Sequence, residues 1–346
     1  MTNDLLSPRF KNAVKTSLAL VMAYGFALWF DWDRPMWAAF AVALVSLPTL
    51  EASLGKGAQR LRGTLMATVV GLGLIALFPQ DRWPFMLAQA SWLAYCTYRM
   101  TGGKNAYLWF CAGFVTAIIT SNGGPDPTNA FSLATIRLLE TSLGIICFAL
   151  VFSLVWPVRT DQNLPGEMPE PPPSIPGVSR LNQASQVFIA YCAAFLLVVY
   201  VPGFPGSYGF LGMLAPFAII LATTPQLPAA KLMKPVGLSI LFAAPIYMFL
   251  MPLLSGFTEL AIVIFLTCFT ICYALHTPEQ GLARTFGLAF FAVVTGISNQ
   301  QTYSFLALAN TVLMFSLVLL MMHLCTSVTV FVREKNGNLA TAAENI

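Results

Sequence analysis

The chain has 346 residues, of which 57% are hydrophobic and only 9% charged, and its mean hydropathy is +0.73. A soluble domain carries about 25% charged residues, so composition excludes one and predicts an all-α integral membrane protein. The net charge of +4 does not point to nucleic acid, because the basic residues cluster in short connections at the edges of apolar runs.

At the N-terminus, residues 1–11 are polar and include Asp4, Arg9 and Lys11. No small-residue cleavage site follows the first apolar run at signal-peptide spacing, so a retained first span is expected. Apolar runs of about 17–25 residues predict about twelve transmembrane helices. In the first half they cover 12–30, 35–50, 61–78, 83–99, 105–121 and 130–156, and in the second half 181–201, 207–224, 232–253, 257–275, 283–298 and 303–331. The breaks carry turn and breaker residues, among them Asp31-Trp32-Asp33-Arg34-Pro35, Gly123-Gly124-Pro125-Asp126-Pro127 and Pro202-Gly203-Phe204-Pro205-Gly206.

After the second span come Pro48, Glu51 and the stretch Gly55-Lys56-Gly57-Ala58-Gln59-Arg60-Leu61-Arg62-Gly63-Thr64. It is read as a basic cytoplasmic connection. It lacks the GxxxxGK[ST] of a phosphate loop, which disfavours ATP-driven transport by this chain alone. Glu51 and Arg60 are candidate cytoplasmic-entry residues, with anchoring at lipid headgroups as the alternative.

The sixth run, 129–157, carries Arg137 and, three residues on, Glu140. A charge near the bilayer centre costs roughly 2.5–3.5 kcal/mol on insertion scales. A rise of about 1.5 Å per residue puts the two on one face of a turn, where they partly neutralise each other. Lipid satisfies none of their hydrogen bonds, so this face is expected either to line the route of a solute or proton or to brace the bundle.

Residues 158–180 follow, with Pro165, Pro169, Pro171, Pro172, Pro173 and Pro176, and read as an extended tether. Beyond it the chain repeats itself. The stretch 40–50 lines up with 217–227 at a shift of 177, the same shift pairs Ser121-Asn122 with Ser298-Asn299, and a shift of 174 pairs Val158-Arg159 with Val332-Arg333. The expected organisation is thus a first six-span repeat over 1–157, the proline-rich cytoplasmic linker 158–180, a second six-span repeat over 181–333 and a cytoplasmic tail over 334–346. Six spans per unit make the repeats parallel. Pro48 and Pro225 then interrupt equivalent spans. Such matched breaks either mark a transport site or are inherited kinks. The partners of Arg137 and Glu140 are uncharged at either shift, so the charge pair belongs to one half only.

With the N-terminus inside, fifteen basic residues fall on the cytoplasmic side and only Arg34 and Arg82 outside, with Arg137 set apart. That bias predicts a multi-pass membrane protein with both termini cytoplasmic. The seven cysteines lie in apolar runs without CxxC or His-spaced clusters, so they read as small buried hydrophobes, and neither metal nor cofactor is expected.

In Trp37, the Pro48 span, Gly57-Ala58-Gln59-Arg60-Leu61-Arg62-Gly63-Thr64, and Arg137-Leu138-Leu139-Glu140 with Gly144 and Pro157 following, the first half resembles the fusaric acid resistance and aromatic acid exporter family. The resemblance covers residues 9–159. The second half, 180–333, is assigned through the internal repeat. The resemblance implies an inner-membrane efflux component for aromatic carboxylic acids or related hydrophobic compounds, driven by the proton gradient and working with a periplasmic adaptor and an outer-membrane channel. Many members carry a large soluble segment after six spans, where this chain has a short linker.

Three functions stay open. In a proton-coupled exporter of small organic acids, Glu140 carries the proton, Arg137 binds the carboxylate, and Trp37, Trp92, Tyr107 and Trp109 are either ring-stacking or interfacial residues. In a passive organic-anion channel, Arg137 sets selectivity alone. In a scaffold subunit of an envelope assembly, nothing is transported. A homo-oligomer is compatible with all three. No nucleophile and base pair, metal ligand set or cofactor motif supports an enzyme.

Overall fold

The structure, a computed structural model, describes residues 7–45, 50–103, 105–123, 127–156, 177–224 and 229–344. These residues form twelve α-helices and, among them, no strand. The first six are α1 (Pro8–Trp29), α2 (Met36–Val45), α3 (Leu50–Leu77), α4 (Arg82–Met100), α5 (Ala106–Gly123) and α6 (Pro127–Leu154). The second six are α7 (Gly177–Tyr200), α8 (Tyr208–Thr223), α9 (Ala229–Pro245), α10 (Phe257–Ala274), α11 (Gly281–Thr295) and α12 (Phe305–Glu344). Apolar sequence in lipid must satisfy its own backbone, and a helix does this within one segment.

Six stretches are long and apolar enough to cross a membrane: 52–77, 128–154, 180–200, 232–253, 257–274 and 305–325. Helices α2, α5, α8 and α11 are apolar but shorter. At 1.5 Å per residue, the 10 residues of α2 reach about 15 Å, half of the roughly 30 Å hydrocarbon core. The expected segments are therefore helical over their described residues; among these, six are both long and apolar enough for a full crossing, while α1 and α4 have the length but are less apolar.

One boundary needs correction. Helix α3 begins at Leu50, so the stretch read as a basic connection, residues 55–64, is helical. Its glycines fit interfaces rather than turns. A Cβ on Gly57 would sit 3.1 Å from Ile145, and one on Gly63 would come within 2.6 Å of the Leu108 carbonyl. Small residues at membrane helix contacts let backbones approach closely. Helix α9 continues as a π-helical turn, Ile246–Leu250, and a 3-10 turn, Met251–Leu253. Pro245 has no N–H to give to the α ladder, which accounts for the slip in register where α9 ends.

The chain divides into two compact units, and each takes residues from both sides of the proline-rich stretch. Unit one comprises Met1–Arg62, Ala134–Glu170 and Pro235–Ala309. In it α1 packs antiparallel on α10, and α2 packs on α1 and α11. Near one end of the α1–α10 contact, the Arg9 guanidinium lies 3.8 Å over the Tyr273 ring and its Nε donates to the Tyr273 carbonyl at 2.6 Å. Toward the other end, Gly25 leaves room for Phe257, whose Cζ would be 2.8 Å from an added Cβ. Unit two comprises Gly63–Leu133, Pro171–Lys234 and Asn310–Ile346. There α4 packs antiparallel on α7, and α5 on α4 and α8. Trp83 stacks on Tyr200 at 6.2 Å, and Gly102 faces the Arg180 guanidinium.

In unit one, α6 meets α2 at Gly144, where a Cβ would strike the Ala38 carbonyl and lie 2.7 Å from the Ala41 Cβ. Gly144→Ala is expected to destabilise the protein by on the order of 1–3 kcal/mol through overpacking against backbone. Gly73→Ala in α3, with nothing within 4 Å of the added carbon, is expected to be neutral or slightly stabilising because alanine is the better helix former. Thermal unfolding of both variants in detergent checks the contrast. Equal effects would mean that the α2–α6 contact is not close.

Candidate functional site

The contact at Gly144 brings α6 against α2 one to two turns from the place where α6 carries Arg137 and Glu140. Both are inside the protein: Arg137 is 3% exposed and Glu140 0%. The Arg137 guanidinium carbon lies 3.2 Å over the ring of Trp37, the second residue of α2, itself 3% exposed. Stacking of a desolvated guanidinium on an indole stabilises it by about 2 kcal/mol. The edge of the group is not used in the same way. Among the described residues, Nε and Nη2 of Arg137, both carboxylate oxygens of Glu140 and Nε1 of Trp37 are buried without a side-chain hydrogen-bond partner. An unsatisfied buried polar group costs about 1–3 kcal/mol, more when charged, and a native structure concentrates such costs where function needs them. Charge compensation along the turn thus does not extend to a hydrogen bond between Arg137 and Glu140.

Arg60, from α3, is 2% exposed and, with Arg34, adds positive potential around Arg137, against the negative charge of Glu140. Its burial is a correction to the headgroup-anchor alternative, because the residue lies on a helix facing inward. Lys15, counted among the cytoplasmic-side cations, is also buried at 2%. Its ammonium donates to the Trp156 carbonyl at 2.8 Å, just past the end of α6, and lies 5.2 Å from the Phe152 ring. Among the described residues, the buried charged side chains Lys15, Arg60, Arg137 and Glu140 all belong to unit one. Buried polar residues of unit two are uncharged, such as Gln89, which meets Thr120 at 3.4 Å.

The other expected site residues fare differently. Pro48 and Pro225 lie outside the described residues. The described helices next to them are α2 (Met36–Val45) and α3 (Leu50–Leu77) for Pro48, and α8 (Tyr208–Thr223) and α9 (Ala229–Pro245) for Pro225. Glu51 falls in the first turn of α3, and its side chain is outside the described ones. Of the aromatic candidates, Trp92 donates its indole N–H to Thr116 Oγ1 at 3.1 Å and Trp109 holds the Arg99 guanidinium at 4.6 Å. Trp37 is the one whose ring meets the Arg137 guanidinium within unit one. Sequence reasoning had Trp37 as a ring-stacker or belt residue but not as the partner of Arg137. An intramembrane arginine announces that it has a partner, and no spacing says which aromatic residue that is.

Unit one also holds a cavity of about 1130 Å³ at the C-terminal end of α1. Its wall includes Phe26, Trp29, Phe30, Phe257 and Tyr303, with Ser298, Asn299 and Gln301 as polar members. Asn299 Nδ2 donates to the Leu28 carbonyl at 2.9 Å and to Asp31 at 2.6 Å, which ties the segment after α11 to the α1–α2 turn. That same turn leads from Phe30, in the cavity wall, to Trp37.

Comparison with known proteins adds names to this geometry. The chain is 30% identical over 176 residues to the p-hydroxybenzoic acid efflux pump subunit AaeB of Escherichia coli K12, covering 48% of this chain and 27% of that protein. It is 26% identical over 151 residues to the uncharacterized transporter YdhK of the same strain, covering 42% of this chain and 22% of YdhK. To the uncharacterized transporter GOX0755 of Gluconobacter oxydans it is 29% identical over 156 residues, covering 41% and 20%. The chain thus spans less than a third of the length of these relatives. No solved structure matches it. The stretch that carries Trp37, Arg60, Arg137 and Glu140 lies within residues 9–169, and those residues match the fusaric acid resistance protein family.

Proposed function

We propose that the chain is a transporter of the bacterial inner membrane that exports aromatic carboxylic acids or related hydrophobic organic anions in exchange for protons. The observation that carries the proposal is the buried set on α6 and α2: an arginine and a glutamate inside a span, whose rim nitrogens and carboxylate oxygens have no side-chain partner among the described residues. Arg137 binds the substrate carboxylate. Glu140, a turn away, takes up a proton from the outside and returns it inside, so that the net charge of the site alternates between substrate-binding and substrate-releasing states. The cavity beside the α1–α2 turn, with its aromatic wall, offers room for the apolar body of the substrate. AaeB, named as an efflux pump subunit for p-hydroxybenzoic acid, supports the aromatic acid class. Through the family, a periplasmic adaptor and an outer-membrane channel are the proposed partners, and both termini are placed in the cytoplasm.

The duplicated architecture belongs to the same proposal. If α1–α6 and α7–α12 are parallel repeats, α1 corresponds to α7, α2 to α8, α4 to α10 and α5 to α11. The helix pairs of unit one (α1 with α10, α2 with α11) then become those of unit two (α7 with α4, α8 with α5). Burial supports the same correspondence: Ala13, Ala19, Leu20, Ala23 and Tyr24 of α1 and Ala184, Ala190, Tyr191, Ala194 and Phe195 of α7 are buried in one common register. Two similar units, of which one holds the buried charges seen among the described residues, suit a transporter whose charge chemistry is confined to one of them.

Reconstituted flux tests the proposal. Purified chain in proteoliposomes, offered a panel of aromatic and aliphatic carboxylates, is expected to move aromatic acids against their gradient when a pH gradient is imposed. A protonophore should stop this movement, after subtraction of the passive flux in protein-free vesicles. Flux strictly down the substrate gradient and indifferent to pH would instead make the chain a channel. No flux, with envelope proteins co-purifying, would make it a scaffold.

A further inference from the structure

We propose that Trp37 is the residue that sets the geometry of the anion accepted at Arg137, restricting it to planar carboxylates; this rests on the transport of organic anions proposed above. The guanidinium is a flat group with two faces and a rim of N–H donors. One face is closed by the indole of Trp37 at 3.2 Å, so a ligand is taken at the rim. The donors without partners are Nε and Nη2, whose N–H bonds lie parallel on the same edge. That pair forms a side-on fork, matched in spacing to the two oxygens of one carboxylate. Glu140 does not use the fork, since no hydrogen bond joins its oxygens to Arg137 among the described residues. The indole Nε1 is a third buried donor without an acceptor at the same place.

A carboxylate conjugated to a ring is flat. With its oxygens on the fork, the whole anion lies in the guanidinium plane and runs parallel to the indole. A sulfonate is tetrahedral. With two of its oxygens on the fork, its third oxygen and its organic group lie on opposite sides of that plane, and one of them is driven toward the level of the indole. Trp37 is buried, with only 3% of its surface exposed, and packs against Phe40 at 5.0 Å, so it has little freedom to yield. The indole therefore acts as a positioning residue that holds the fork in one orientation and as a steric floor that rejects tetrahedral anions.

The test is a selectivity ratio in proteoliposomes, using benzoate and benzenesulfonate as the matched pair. The wild-type chain is expected to favour benzoate at least about tenfold in half-saturation concentration, a factor that corresponds to about 1.4 kcal/mol. Trp37→Phe, which keeps an aromatic face, is expected to keep most of the ratio. Trp37→Leu, which removes the face, is expected to bring it near unity while still moving both anions. A Leu variant with the wild-type ratio, or a Phe variant that loses the ratio as fully as Leu, would overturn the inference. Should Trp37→Leu not fold, the wild-type chain decides alone: benzoate and benzenesulfonate handled equally well would also overturn it. That failure is distinct from failure of the transport proposal, in which the wild-type chain moves no aromatic carboxylate at all.

Discussion

Arg137→Leu is expected to destabilise the protein by about 3–5 kcal/mol, the usual cost of stranding one member of a buried charge pair, and to abolish transport. Glu140, 0% exposed, would be left as a buried carboxylate without its cationic neighbour. The double variant Arg137→Leu/Glu140→Leu removes both charges, and apolar replacement of a buried pair is often neutral or stabilising. Its melting temperature in detergent is accordingly expected to return to the wild-type range or above, while transport stays absent. Glu140→Gln keeps the shape of the side chain but cannot carry a proton. It is expected to remain folded and to lose acceleration by a pH gradient. These variants separate two roles for the pair. A structural brace would lose function only as stability falls, so a double variant that is stable and transports at the wild-type rate would remove Arg137 and Glu140 from the mechanism.

Cutting the chain in the proline-rich stretch, between residues 166 and 167, is expected to yield two fragments that fail to fold apart and assemble when co-expressed. In unit one, α1 and α2 take their partners α10 and α11 from beyond the cut, and in unit two α4 and α5 take theirs, α7 and α8, in the same way. A lone first fragment would lose the α10 and α7 faces on which the buried residues of α1 and α4, such as Leu20, Tyr24, Ala90 and Leu93, are packed. Losses of even 1–2 kcal/mol lower cellular abundance several-fold, and here whole interfaces are missing. Fluorescence-detected size exclusion of each fragment alone and of the pair measures the effect. A monodisperse, heat-resistant fragment 1–166 would show that the interleaved packing is not required.

Much of this molecule was legible in its residues. The apolar runs became helices nearly where hydropathy put them, because a segment in lipid has few other ways to satisfy its backbone. The start of α3 was missed by eleven residues, since glycines and arginines at 55–64 carry turn and surface signals. Those signals were overridden by close contact at Gly57 and Gly63 and by the burial of Arg60. Helix lengths mattered as well: hydropathy alone counted twelve spans, whereas among the described residues six helices are both long and apolar enough to cross.

The sequence by itself determined that Arg137 and Glu140 share a turn of an apolar helix, because the helical repeat is local and relates residues three apart without reference to the rest of the chain. Only the tertiary structure decided that Trp37, a hundred residues earlier, covers the guanidinium, that Glu140 leaves the fork free, and that each compact unit is built from both halves. Such contacts depend on which faces meet when helices pack, and many apolar faces of similar composition compete for each partner. The choice among them is made by close fits such as that at Gly144, which no periodicity records.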